Sequence, residues 1–157
     1  MGAKLKNGEK YDSDFFGHRD TPQTVLPALE SLVRKLVVKE GADRFYVGSQ
    51  GTFDAMAKSA LTGLKKEHPN VQCAVVLAYL PEKAEESGQH EPETVFPEGL
   101  ESAPRRFAIH RRNCWMVQQA DVVVTYVKSS AGGAAQFQAM ALRLHKRVIN
   151  LAETVQP

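Results

Sequence analysis

Ala120-Asp121-Val122-Val123-Val124-Thr125-Tyr126, followed shortly by Ser130-Ala131-Gly132-Gly133-Ala134-Ala135-Gln136, decides how this chain is read. The first stretch is an apolar run of strand length, suited to burial on both faces of a sheet. The second is a glycine turn that opens a helix. Arg112-Asn113 lies on a predicted helix just upstream, so the order is helix, strand, glycine turn, helix. α/β proteins use that order to hold a phosphorylated ligand at the carboxyl edge of a parallel sheet, where backbone amides at a helix start meet an anion. A second unit lies earlier: a strand over 44–47, the turn Gly48-Ser49-Gln50-Gly51, and a helix over 52–68. The pair points to a nucleotide-like anion site.

Outward from these two units, the pattern continues. A short apolar segment at 14–16 ends in Gly17-His18-Arg19-Asp20, and Thr21-Pro22 starts an amphipathic helix that Gly41 ends. Residues 73–80 form a continuous apolar run, expected as a central strand, and a helix over 109–119, a strand over 121–127, a helix over 133–145 and a strand over 147–151 follow. Strands alternating with helices predict an α/β fold: a Rossmann-like, doubly wound parallel sheet of about five strands with helices on both faces.

The chain's 157 residues fit a single domain over 1–157, and 43% hydrophobic content supplies one core. A net charge of +2 argues against bulk polyanion binding, so nucleic acid is not an expected partner. No apolar run is long enough to span a membrane and the polar start lacks a signal-peptide core, which predicts a cytoplasmic protein without membrane association. Cys73 and Cys114 lack metal or CxxC spacing, so reduced thiols are expected and no metal site. The stretch 81–104 is rich in glutamate and too long for an ordinary connection. It reads either as a solvated acidic loop or as a lid over a basic pocket, with Phe96 and Phe107 walling a base.

Several side chains are candidates for ligand contact. Gly132-Gly133 lets backbone approach a ligand or simply makes a tight turn, and the Gly48 turn carries the same two readings, with Ser49 and Gln50 as its polar contacts. Asp54 either takes a ribose hydroxyl or caps its own helix. Arg19, Arg111 and Arg112 offer forked donors to phosphate, and Arg19 and Arg112 are placed to face one sheet edge. His18 contacts a ligand, moves a proton, or is satisfied within its loop. Neither glycine turn is followed by a Walker lysine, which argues against an NTPase. Asp121, at a strand's start, belongs to the opposite edge of the sheet.

Gly17-His18-Arg19, Gly51 with Asp54-Ala55-Met56-Ala57, Arg112-Asn113-Cys114-Trp115-Met116 and Ala131-Gly132-Gly133 together resemble the SLOG superfamily, the Rossmann-like group joining Lonely Guy phosphoribohydrolases and DprA-type DNA-processing proteins. They are similar, in turn, to that group's Gly-Ser-Arg loop, to its second glycine loop and helix, to the Arg-Lys-x-x-Met helix of Lonely Guy enzymes and to the start of their Pro-Gly-Gly-x-Gly-Thr-x-x-Glu motif. The resemblance covers nearly the whole chain, least so at 81–104, and looks closest to small bacterial and phage members. It implies a nucleotide-class ligand, no cofactor, and a homodimer or higher homo-oligomer.

Where the hydrolases place glycine, threonine and a catalytic glutamate, this chain has Ala135, Gln136 and Ala139, so the carboxylate that would assist glycosidic cleavage is missing at that position. Gln138 alongside is able to hydrogen-bond a ribose. The ligand-facing set is therefore expected at Gly17, His18 and Arg19; at Gly48, Ser49, Gln50, Gly51 and Asp54; at Arg111, Arg112 and Asn113; and at Gly132, Gly133, Ala134 and Gln136. The leading expectation is a sensor or sequestering protein for a nucleotide-derived small molecule, ADP-ribose-like or a cyclic or signalling nucleotide. The alternative is an N-glycosidic phosphoribohydrolase of nucleoside monophosphates in which His18 or Glu98 replaces the missing acid. A third is a protein-interaction module with no small ligand.

Overall fold

The computed structural model describes residues 11–49, 51–79 and 93–154. The chain runs β1 (Asp12–Gly17), a 3-10 turn (Gln23–Val25), α1 (Leu26–Glu40), β2 (Arg44–Val47), α2 (Thr52–Glu67) and β3 (Gln72–Val76). It continues through β4 (Glu93–Val95), a second 3-10 turn (Leu100–Ser102), α3 (Arg105–Gln119), β5 (Val122–Tyr126), α4 (Gly133–Arg143), β6 (Arg147–Asn150) and the single turn α5 (Leu151–Thr154). All strand pairs are parallel, in the order β4-β3-β2-β1-β5-β6. The first four strands step outward from β1 in one direction, and the chain then returns to lay β5 on the other side of β1. That reversal is a topological switch point, and it leaves a crevice beyond the carboxyl ends of β1 and β5.

The fold is the expected Rossmann-like α/β arrangement, with six strands rather than five. The additional strand, β4, lies within the acidic stretch 81–104 and pairs Ala74↔Glu93 through Val76↔Val95. Of that stretch, residues 81–92 lie outside the described residues, so the lid reading applies only to the part that is β4, the second 3-10 turn and their flanks. β3 is shorter than the apolar run that predicts it and lies second from the edge, interior only because β4 covers it. Gly41 does end α1, in the left-handed conformation at φ 75°.

Alternation along β1 splits the core into two layers. Phe15 faces α1, α2 and α5 with Phe45, Leu29, Leu36, Phe53 and Leu61, while Phe16 faces α3 and α4 with Tyr46, Val76, Met116, Val123 and Phe137. Asp14 shares the Phe16 face. It is 0% exposed, and among the described residues neither carboxylate oxygen has a hydrogen-bond partner. Burial pushes its carboxyl well above the usual range, Asp12 and Asp121 add to the rise, and Lys146 opposes it. Asp121 caps the amino edge, its Oδ2 accepting the Asp12 amide at 2.9 Å, on the side away from the crevice. No helix among the described residues is long and apolar enough to cross a membrane.

Candidate functional site

A cleft of about 340 Å³ opens at the switch point. Its polar wall carries Arg19, Asp20, Gly48, Asp54, Arg112 and Asn113; its apolar wall carries Phe16, Ile109, Met116 and Phe137, and Gly133 and Ala134 close one end. Such a cleft has the chemistry for an amphiphilic ligand: a flat apolar group on one side, hydroxyl and charged groups on the other.

The β1 loop is built around contacts that leave little freedom. A Cβ at Gly17 would lie 2.3 Å from the Phe53 ring, so only glycine lets β1 run against α2 here. The next residue, His18, donates its amide to Tyr126 O at 3.3 Å and receives the Thr21 hydroxyl on its carbonyl at 2.6 Å. Its Nε2 accepts the Lys128 amide at 2.9 Å, which places the ring proton on Nδ1. The His18 imidazole thus clamps the loops after β1 and β5 together, and its Nε2 lone pair is already engaged.

The turn after β2 is closed. Gly51 precedes α2 with φ 94° and ψ 179°, a conformation that favours glycine, and a Cβ there would lie 2.9 Å from Arg19 Cα. The first amide of α2, on Thr52, donates to Arg19 O at 3.0 Å. Asp54 sits in the same first turn. A Cβ at Gly48 would stand 2.8 Å from Asp54 Oδ2 and 3.5 Å from Arg112 Cζ, so carboxylate and guanidinium converge on that glycine.

Arg112 is 2% exposed. Its Nε donates to Asn113 Oδ1 at 2.8 Å and one terminal nitrogen donates to Val76 O at 3.2 Å, at the end of β3. Burial lowers its pKa from the ordinary arginine value, while Asp54 and Tyr79 work against that shift. The guanidinium is therefore anchored in the wall of the cleft rather than free to swing.

The turn after β5 is open. Gly132 repeats the Gly51 backbone, with φ 103° and ψ 173°, yet nothing lies within 4 Å of a Cβ placed on Gly132 or Gly133. The first turn of α4 carries no acid, and its first internal bond is the Gln136 amide to Gly132 O at 3.1 Å. The amides of Gly133, Ala134 and Ala135 meet no acceptor among the described residues, which is the electrostatic setting an anion finds at a helix start.

Of the residues expected from sequence, the cleft gathers Gly17, His18, Arg19, Gly48, Asp54, Arg112, Asn113, Gly133 and Ala134. Ser49, Arg111, Gly132 and Gln136 are exposed and do not line it, Gly51 lies behind the Arg19 backbone, and Gln50 is outside the described residues. Glu98, the other candidate acid, is exposed and away from the cleft. Gln138 accepts the Thr125 hydroxyl and so turns toward the sheet. The aromatic wall is also different from expectation. Phe107 is 45% exposed beneath the Arg106 guanidinium, and neither it nor Phe96 lines the cleft. Phe16 and Phe137 supply the wall, their rings stacked at 5.5 Å. Sequence reasoning also left out Ile109, Met116 and a ligand-facing role for Asp20; the helical spacing of Ile109, Arg112, Asn113 and Met116 was the available signal, since it puts all four on one side of α3.

No family model matches the chain, and no curated protein does. Among solved structures it is similar to DNA processing protein A (DprA) from Streptococcus pneumoniae, at 15% identity and a TM-score of 0.62, over 88% of this chain and 49% of that one. This chain spans about half the length of that protein. The likeness is one of fold alone, a Rossmann-like α/β arrangement with a parallel sheet flanked by helices.

Proposed function

We propose that this protein binds a nucleotide-derived small molecule, of the ADP-ribose or cyclic and signalling nucleotide kind, and acts as a sensor or sequestering protein. One observation carries the reading: the open start of α4, Arg19 and the Phe16–Phe137 wall lie on one cleft at the switch point of the sheet. The phosphate sits on the Gly133 and Ala134 amides, with Arg19 adding charge. The base packs against Phe137, Met116 and Ile109. The experiment is native mass spectrometry of gently purified protein, followed by titration with AMP, ADP-ribose and cyclic nucleotides. A retained nucleotide mass, or saturable binding of one of these, is expected; an empty protein that binds none of them ends the proposal. The same spectrum gives the oligomeric state, expected as a dimer from the SLOG resemblance.

Phosphoribohydrolase activity is the second reading, favoured by two carboxylates on the cleft, Asp20 and Asp54, that replace the one missing from the α4 turn. Either is able to stabilise an oxocarbenium-like ribose or activate water. Release of free base from AMP, lost in Asp54→Asn or Asp20→Asn, supports this reading, and intact AMP after prolonged incubation removes it.

A further inference from the structure

We infer that the cleft selects a base with a carbonyl on its edge, of the guanine or uracil kind, over one with an amino group there, and that Asn113 is the residue that makes the distinction. The inference rests on the nucleotide reading above and narrows it: within that class, keto-base signalling nucleotides are favoured over ADP-ribose.

Asn113 stands in the middle of the wall against which the base packs. On α3 it follows Ile109 by four residues and precedes Met116 by three, so the three share one side of the helix, and all three line the cleft with Phe137 of α4. Asn113 is half-buried and is the polar member of that group.

An asparagine side chain has one accepting oxygen and an amino group that donates, and the oxygen here is already engaged. Asn113 Oδ1 accepts from Arg112 Nε at 2.8 Å. A guanidinium only donates, so the amide has one orientation, with its oxygen toward Arg112 and its amino group on the other arm. Arg112 is itself buried and donates to Val76 O at 3.2 Å, which keeps the oxygen engaged. The Asn113 amino group meets no acceptor among the described residues. What this wall offers a base is therefore a donor pair beside a fixed positive charge.

Asparagine reads adenine by two bonds at once, taking the N6 amino group on its oxygen and giving an N–H to N7. The first of these is in competition with Arg112 here, and an amino group approaching Oδ1 would meet the guanidinium hydrogens. Guanine shows two acceptors on the same edge, O6 and N7, and uracil shows a carbonyl where cytosine has an amino group. A donor-only contact matches the carbonyl bases, whereas an amino base sets donor against donor.

The test is isothermal titration of IMP against AMP and of UMP against CMP, pairs that exchange a carbonyl for an amino group, on the intact chain and on Asn113→Asp. The aspartate keeps an acceptor for Arg112 Nε and puts a second acceptor where the amino group stood. In each pair that binds, the carbonyl base is expected to bind on the order of tenfold tighter. In Asn113→Asp the order reverses, the amino base binding about threefold tighter or more. Melting curves establish that the variant folds; Asn113→Ser is the substitute if it does not, and it is expected to bring each pair within about threefold. Equal affinities or an amino-base preference in the unaltered protein, or a carbonyl preference that survives substitution of Asn113, overturn the inference and leave nucleotide binding standing. Absence of binding by all four also overturns it, and ADP-ribose, titrated alongside, then decides whether nucleotide binding itself stands.

Discussion

The two glycine turns of this chain have nearly the same backbone and opposite electrostatics. Gly51 and Gly132 precede their helices at φ 94° and 103°, each after a parallel strand that flanks β1. Beyond that the two diverge. The first turn is sealed by the Arg19 backbone and carries Asp54; the second is open to solvent and carries no acid in its opening helical turn. Glycine at a strand-to-helix junction therefore records a backbone requirement, and what surrounds it decides whether the junction receives an anion. The α2 turn uses its glycine to admit a neighbouring backbone, whereas the α4 turn leaves open space at Gly132 and Gly133.

Substitutions in the two turns bear directly on that difference. The largest effect is expected from Gly51→Ala, which combines a strained positive φ with a Cβ 2.9 Å from Arg19 Cα. A loss of about 3 to 4 kcal/mol in stability by denaturant melting is expected. A loss under about 1 kcal/mol would mean that the α2 turn is looser than its packing indicates. Next comes Ala134→Asp, which places an acid in the first turn of α4 as Asp54 does in α2. Nucleotide affinity is expected to drop about a hundredfold, near 2.7 kcal/mol, by titration calorimetry, while the helix itself gains a few tenths of a kcal/mol from its dipole. Unchanged affinity would show that the anion does not use α4. The smallest effect is expected from Gly132→Ala, where φ is positive but the space is open. Strain alone costs about 1 to 2 kcal/mol, so its melting midpoint is expected to lie above that of Gly51→Ala.

The strands differ in how clearly the sequence marks them, and position in the sheet does not explain the difference. β2 is found at the residues expected, 44–47, and α2 ends one residue from its predicted limit, because apolar runs and turn residues mark both clearly. β1 lies beside β2 at the centre of the sheet, yet only 14–16 of it reads as a strand, since Asp12 and Ser13 are residues that rarely enter a sheet interior. β4 was hidden because it lies among the glutamates of 81–104, which read as a solvated loop, and only the edge of β3 turns Glu93–Val95 into a strand. Within the cleft, the glycine and arginine positions were legible from turn chemistry. The Phe16–Phe137 wall was not, because which of several aromatic residues stack is decided by the packing of α4 on β1, a contact without a local pattern.

The Asp14 carboxyl in the middle of β1 has a thermodynamic consequence for the whole chain. In the unfolded chain it is an ordinary aspartate that gives up its proton near pH 4, whereas the buried acid keeps that proton to a higher pH. Between those two limits folding takes up a proton, so this group makes the protein progressively less stable as pH rises through the window and levels off above the folded pKa. Asp14→Asn removes the linkage: its melting temperature is expected to exceed that of the parent at neutral pH, and the two curves are expected to converge as the solution is acidified toward pH 4. A gap that does not narrow on acidification would mean that Asp14 is charged in the native protein. Proton uptake of this kind makes the central strand a record of ambient acidity, independent of anything bound at its other end.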